Sequence, residues 1–344
     1  CMKKLLNTLY VTTPDAYLSK DGLNVVVSDH HNELFRIPIL NIEAIVTFGY
    51  MGASPGLMKL CVDNQVSLTF LTPQGRFISR VQGATKGNVL LRTRQYNLAS
   101  DKDFSLHLSK LFIGGKIQNY RNILRRFLRD NGPNVEIENV ALHLNTAKRR
   151  LFDASNPDEL RGIEVEAANA YFSVFSQLIL QQRGKFPFHG RNRHPPKDAV
   201  NAMLSFVYTL IANDMASALE SVGLDPYVGF LHVLRPGRVS LSLDMMEELR
   251  AYLGDRLVLS LINRKQVTEK DFFSQGDESI LMTDSCRKIL ISSWQSRKKE
   301  LITHPYLGEK IPIGLLPYSQ AMLMALPENG LEAKLGCVYT SQVI

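Results

Sequence analysis

The sequence predicts an α+β protein, with a small N-terminal β-domain followed by a larger, mostly α-helical domain. Two observations carry this. Up to about residue 80 the chain runs in short β-rich segments punctuated by turn residues, and beyond about Asn97 apolar residues recur at helical spacing with few strand signals. At 344 residues there is room for two cores. The change of texture puts residues 1–97 in the β-domain and 98–344 in the helical one.

In the β-domain, "LNTLYVTTPDAYLSKDGLNVVVS" holds two β-rich runs around a turn at Lys20, Asp21 and Gly22, and "ELFRIPILNIEAIVTFG" adds two more. Ser54 and Pro55 form an N-cap and first-turn pair that starts a short helix in "SPGLMKLCVDNQ". "VSLTFLTPQGRFISRV" then reads as a hairpin turning at Pro73 to Gly75. The helical domain begins with "DFSLHLSKLFIGGKIQNYRNILRRFLRD". It continues through "SNPDELRGIEVEAANAYFSVFSQLILQQ", which opens at Ser155 and Pro157, and "PPKDAVNAMLSFVYTLIANDMASALESVG", which stops at Gly223. Between the last two lies a Pro-, Gly- and charge-rich loop, residues 183–197.

The composition, 45% hydrophobic and 21% charged, is that of a folded protein. Net charge is +7, distributed as +4, +5 and −2 over residues 1–100, 101–200 and 201–344. A basic region beside a neutral or acidic one suits a polyanion gripped in one place and attacked in another. Cys1, Cys61, Cys286 and Cys337 form no C-x-x-C pair, which argues against a disulfide framework or a thiolate zinc site. With no leader-like start and no run of about 18 apolar residues, the expected setting is the cytoplasm. Phosphate-binding glycine loops and H-E-x-x-H are absent from the sequence, which argues against ATP and dinucleotide chemistry.

Within the loop, Arg183, Lys185, Arg191, Arg193 and Lys197 are interleaved with Phe186, Phe188, His189 and His194, cations for phosphates beside rings for unpaired bases. Lys116, Arg121, Arg125, Arg126 and Arg129 recur at helical spacing and form a second candidate backbone-binding run. Asn201 opens the helix after the loop. In "GFLHVLRPGRVSLSLDMMEELR", Asp244 and Glu247 are three residues apart, so both lie on one helix face and within reach of one cation, with His232 shortly before. Such a pair is also common on solvated helices. Glu164, at the start of an apolar-faced helix, is equally accounted for by the helix dipole.

The blocks "IPILNIEAIVTFG", "VSLTFLTPQGRFISRV", "GKIQNYR", "LRGIEVEAANAYF", "PPKDAVNAMLSFVYTLI", "VGFLHVLRPGRVSLSLDMMEELR" and "LINRKQ", in this order over nearly the whole chain, resemble the CRISPR-associated protein one family, the spacer-acquisition integrases, and most closely the type I-C branch. The resemblance implies a metal-dependent DNA endonuclease and integrase in which a DNA 3′-hydroxyl attacks a phosphodiester of the CRISPR repeat. By the family's pattern Glu164, His232, Asp244 and Glu247 would be the catalytic groups and the ligands of Mg²⁺ or Mn²⁺. Lys116, Arg121, Arg125, Arg183, Lys185, Arg191, Arg193, Lys197 and Asn201 would contact DNA. The implied partners are protospacer and repeat DNA, a second copy of the chain bound through the β-domain, and a small ferredoxin-like CRISPR-associated subunit. Two departures stand out: Val165 replaces the glycine usual after the glutamate, and the tail 327–344 lacks the family's Arg-rich ending and receives no function. A metal-dependent nuclease of branched or single-stranded nucleic acid, and a non-catalytic DNA-binding scaffold, are the alternatives.

Overall fold

The computed structural model describes residues 7–13, 15–29, 32–83, 89–192, 195–276 and 279–325. It falls into two compact units, and the division is not sequential. One unit gathers the chain up to residue 86 with 284–300 and 312–315; the other holds the rest.

The first unit has an N-terminal β region of two sheets. Strands β1 (Thr8–Val11), β5 (Ala44–Phe48), β6 (Ser67–Leu71) and β7 (Phe77–Val81) lie side by side in that order. The β1–β5 and β5–β6 pairs are parallel and the β6–β7 pair is antiparallel. The antiparallel meander β2 (Tyr17–Asp21), β3 (Asn24–Asp29) and β4 (Asn32–Pro38) makes the second sheet. Parallel β5 and β6 need a crossover, which helix α1 (Pro55–Asp63) supplies; Ser54 caps it by accepting the Leu57 N–H at 3.2 Å. Gly22 and Gly75 take the positive φ that the two hairpin turns require. Leu18, Val25, Val27, Ile45, Leu57 and Leu68 meet in the core of the unit.

The second unit is helical. It runs through α2 (Val89–Ser100), α3 (Lys102–Asn131), α4 (Val135–Asp153), α5 (Pro157–Ser173), α6 (Ala199–Val222), α7 (Ser240–Leu249) and α8 (Arg256–Asn263). A hairpin of β8 (Phe272–Gln275) and β9 (Ser279–Met282) follows. Helix α9 (Asp284–Lys299) belongs to the first unit, where Gln295 donates to the Thr8 carbonyl at 2.7 Å. The short strands β10 (Leu301–Thr303) and β11 (Lys310–Pro312) pair, and α10 (Leu316–Ala325) packs on α6.

Helix starts follow their caps. Asn156, rather than Ser155, caps α5 by accepting the N–H groups of Asp158 and Glu159, while Ser155 is held by the Glu159 carboxylate. The α5 segment ends at Ser173, short of the expected Gln182, and gives way to a 3-10 turn at Phe175–Leu178. Asp198 caps α6 and Gly223, at φ +93°, closes it. By length and composition α6 could cross a membrane, but Met203, Phe206, Leu210 and Met215 are buried inside the helical unit. Between α7 and α8 the chain makes a π-helical turn, Arg250–Asp255, that buries both terminal charges of the segment.

Candidate active site and nucleic-acid interface

Three helices of the second unit deliver charge to one place: α3 brings Lys116, α5 brings Glu164, and α7 with its π-helical continuation brings Glu247 and Arg250. The Lys116 ammonium lies 2.6 Å from Glu164 Oε1 and 2.9 Å from Glu247 Oε2, and Arg250 Nη1 lies 2.6 Å from Glu247 Oε1. Lys116 is 3% exposed and Glu247 1%. Burial favours neutral Glu247, but Arg250 and Lys116 outweigh it and hold the carboxyl at about 2. Burial likewise works against the charged form of Lys116, and Glu247 and Glu164 among its neighbours raise its pKa above the ordinary lysine value. The result is a quartet of two carboxylates and two cations, buried at Lys116, Glu247 and Arg250 and partly exposed at Glu164.

Asp244 has a different task from Glu247, three residues on. It is fully buried, and its Oδ2 accepts the backbone N–H groups of Phe230 (2.7 Å) and Leu231 (3.0 Å). Its Oδ1 takes the His232 N–H (3.0 Å) and the ring Nδ1 (2.5 Å). A carboxylate offers about four acceptor sites, and these four donors fill them. Asp244 therefore orients the 230–232 loop and its imidazole, in place of the ligand part expected from the sequence. Because an ionised carboxylate only accepts, the neutral ring carries its proton on Nδ1 and offers the Nε2 lone pair. Gly229 makes this wrap possible: a Cβ there would lie 2.5 Å from Asp244 Oδ2 and 2.8 Å from Leu241 N. His232 also lies near Glu247, where a protonated ring would favour the ionised carboxylate.

Lys116, Glu164 and Arg250 also line a cavity of about 750 Å³, with Tyr120, Asn169, Phe172, Ser173, Phe188, His189, Arg191 and Tyr208 among the other walls. Val165 is on its rim and 57% exposed. Beneath it, the Tyr171 and Tyr208 hydroxyls donate to buried Asp255 at 3.0 and 2.6 Å, and Tyr120 stacks on Tyr171 at 3.9 Å between centroids. Burial pushes the Asp255 carboxyl up to about 6 despite those two donors. Arg191 and Arg250 each lie 5.2 Å from the Tyr208 ring centroid.

The site tests the fit of a divalent cation directly. Two carboxylates and an imidazole make an oxygen-rich donor set of the kind Mg²⁺ and Mn²⁺ accept. The position between the carboxylates already holds a cation, the Lys116 ammonium, and buried Glu247 Oε2 makes only an ion contact there, without hydrogen-bond angles. As they stand, no three His, Cys, Asp or Glu side chains among the described residues are gathered closely enough to bind an ion, so loading requires Lys116 to move. With the ammonium displaced, Glu164 and Glu247 offer the carboxylate oxygens of such a donor set and His232, near Glu247, its imidazole.

The expected nucleic-acid residues divide sharply. Lys116 is a buried partner of the carboxylates, and Asn201, also buried, bonds through its side chain to Gly190 O, Asp198, Arg191 and the Asn192 N–H, which ties down the loop and leaves nothing for DNA. Phe186 and Phe188 are buried in aromatic clusters, with Phe272 and with Phe172 and Phe175, so they are core and no stacking platform. Arg183 caps the carbonyls of Ile179 and Gln177, and Lys185 pairs with Glu269 at 3.0 Å. Arg191 bonds to Asn201 and Ser205 yet still lines the cavity. Lys197 is exposed; Arg193 and the tail 327–344 lie outside the described residues. Arg121 and Arg125 do come together, and with a third arginine that the sequence reading missed: burial first, then Arg125 and Arg149, lowers the Arg121 pKa. Lys148, with burial and Arg121 lowering its own pKa, extends this basic cluster across α3 and α4. Four like charges held together are a ready seat for phosphates.

Comparison with known proteins agrees with this architecture. The family model described as CRISPR associated protein Cas1 matches residues 9–296. A protein named CRISPR-associated endonuclease Cas1 1, from Chlorobaculum tepidum, is 50% identical over 327 residues, covering 94% of this chain and 95% of its own. CRISPR-associated endonuclease Cas1 2 of Rhodospirillum rubrum is 47% identical over 332 residues, covering 94% and 95%. Among solved structures, a Cas1 protein from Thermotoga maritima superposes with a TM-score of 0.80 at 21% identity, covering 93% of this chain and 96% of that one. A casposase bound to integration product does so with 0.81 at 20% identity, covering 96% and 94%. At those identities the structural likeness is one of fold, whereas the family model and the curated relatives span almost the whole sequence. The chain belongs to the CRISPR-associated protein Cas1 family.

Proposed function

We propose that the protein is a cytoplasmic CRISPR-adaptation integrase: a metal-dependent DNA transesterase that joins incoming spacer DNA to the repeat. One observation carries the reading: Glu164 and Glu247 converge on a single cation, the Lys116 ammonium, at a cation-lined cavity, and His232, oriented by Asp244, lies near Glu247. The endonuclease names of the relatives point to the same bond being attacked.

In strand transfer the attacking 3′-oxygen forms a new P–O bond, the repeat's own 3′-oxygen leaves with a proton, and the number of phosphodiesters is unchanged. No ATP is needed, which accords with a sequence lacking phosphate-binding glycine loops. Glu164, His232 and Glu247 would hold Mg²⁺ or Mn²⁺, and the bound ion would supply Lewis-acid charge at the phosphorus centre. Arg191 and Arg250, braced on Tyr208, would draw the phosphate into the cavity and stabilise the charge that builds on its oxygens. Asp244 would hold the proton of the neutral ring on Nδ1 and aim Nε2. The cluster of Arg121, Arg125, Lys148 and Arg149 would grip DNA backbone. A second copy of the chain and a small ferredoxin-like adaptation subunit would complete the assembly through the β-domain.

The test is a strand-transfer assay: labelled duplex with free 3′-hydroxyls, supercoiled plasmid carrying a CRISPR repeat, and Mn²⁺ or Mg²⁺, with and without the small partner. Metal-dependent joining that His232→Ala abolishes, with DNA binding retained, is expected. Nicking without joining by folded, metal-loaded protein would replace the integrase with a nuclease; binding with neither would leave a scaffold.

A further inference from the structure

The ammonium between the two carboxylates has a consequence for how the site is filled. Resting on the metal-site reading above, we propose that Lys116 is a built-in counter-cation: it holds Glu164 and Glu247 together before metal arrives, must yield that position to a divalent ion, and so sets how tightly the site binds metal.

The geometry supports each part. A single Nζ reaches Glu164 Oε1 at 2.6 Å and Glu247 Oε2 at 2.9 Å, so it bridges carboxylates carried by different helices, α5 and α7. Without it, Glu247 would keep Arg250 but Glu164 would face a second buried carboxylate with no cation between them. Two like charges held that close repel each other. Lys116 therefore holds the two side chains close. A dication placed among the same oxygens would bring the local charge from balanced to strongly positive, with Lys116 and Arg250 both still present. The guanidinium is pinned over Tyr208 and paired with Glu247 Oε1, whereas the lysine has a flexible four-carbon stem. The lysine also has somewhere to go, because it lines the 750 Å³ cavity. Swung into that space, its ammonium joins Arg191 and Arg250 in facing an incoming phosphate. One residue would then serve as a stand-in for metal when the site is empty of it and as an anion contact when the site is loaded.

Calorimetric titration of MnCl₂ into the full-length protein and into Lys116→Met tests this without using activity. The methionine matches the stem and removes the charge. Removal of the competing cation is expected to tighten Mn²⁺ binding at least tenfold, and to enlarge the Mn²⁺-induced rise in Tm because the metal-free variant starts lower. Equal or weaker Mn²⁺ binding by the folded variant, with the wild type binding normally, would overturn the proposal and leave the metal site standing. Failure of both proteins to bind Mn²⁺ would sink the metal-site reading itself. Should Lys116→Met not fold, the wild type answers alone: acetylation of Lys116 by acetic anhydride, followed by mass spectrometry against exposed Lys59, is expected to rise several-fold on adding Mn²⁺. An unchanged rate would overturn the displacement.

Discussion

Replacing Asp244 by Asn separates the orienting part of this carboxylate from its mere bulk. The amide keeps one oxygen and turns the other into an NH₂ donor. Placed at the Oδ2 position, that NH₂ would confront the N–H groups of Phe230 and Leu231, two donors it cannot satisfy. At the Oδ1 position it confronts the His232 N–H and the ring Nδ1, and the ring can adapt by shifting its proton to Nε2 so that Nδ1 accepts. The second orientation is therefore favoured, at the loss of one buried backbone bond to a charged acceptor and of charge assistance in the others. At about 1.5–3 kcal/mol for a hydrogen bond to a charged group, the variant is expected to lose about 2–3 kcal/mol, read as a lower urea midpoint at unchanged m-value. The tautomer carries the functional effect: with its proton on Nε2 the imidazole has no lone pair for a cation. Mn²⁺ affinity should fall about 10- to 100-fold, the range for loss of a carboxylate behind a ligating histidine, and ¹⁵N shifts of the ring should report the exchanged tautomer. Wild-type Mn²⁺ affinity in a variant whose ring carries its proton on Nε2 would refute the assignment of His232 as a ligand oriented by Asp244.

Further outcomes follow from the same geometry. Gly229→Ala puts a methyl against Asp244 Oδ2 and the Leu241 backbone and is expected to destabilise by about 3 kcal/mol, while Gly162→Ala, on an exposed helical position with nothing within 4 Å, should stabilise by about 0.5–1 kcal/mol; paired urea titrations compare them. Glu248 is buried, and its carboxyl is pushed up to about 8 by burial against the opposing bond from Gln320. A carboxyl raised above its unfolded value favours folding less as pH climbs from about 4.5 to 8, because the unfolded chain ionises first. Glu248→Gln, which can also donate to the buried, unpaired Gln320 Oε1, should gain on the order of 3 kcal/mol over wild type at pH 8 and little at pH 4.5, measured by unfolding at both. Arg121→Ala is expected to weaken duplex binding about equally for all sequences and to lower the slope of log K against log salt by about one, whereas Asn201→Ala should leave that slope unchanged and lower the unfolding midpoint.

The sequence by itself determined the order of texture, strands before helices, because a period of two or of 3.6 in apolar residues is a local property of the chain. Local chemistry also placed the α1 cap at Ser54, the hairpin glycines and the stop of α6 at Gly223. Glu164, His232, Asp244 and Glu247 were legible as a group through the order of the blocks that contain them. Only the tertiary structure decided the parts they take. Lys116 looked like one more cation on a basic helix, and it is the contact between α3, α5 and α7 that buries it between carboxylates 48 and 131 residues away. The same holds for Phe186 and Phe188, whose neighbours in sequence are charged but whose neighbours in space are aromatic. Asp244 and Glu247 share a helix face, yet one meets a loop held by Gly229 and is saturated with donors, while the other meets two cations. Helix α9 belongs to the first unit, where its Gln295 bonds to Thr8 across 287 residues of chain. A side chain's type and spacing are written locally, but which charge meets which, and in how dry a place, is set by contacts that the folded chain alone brings together.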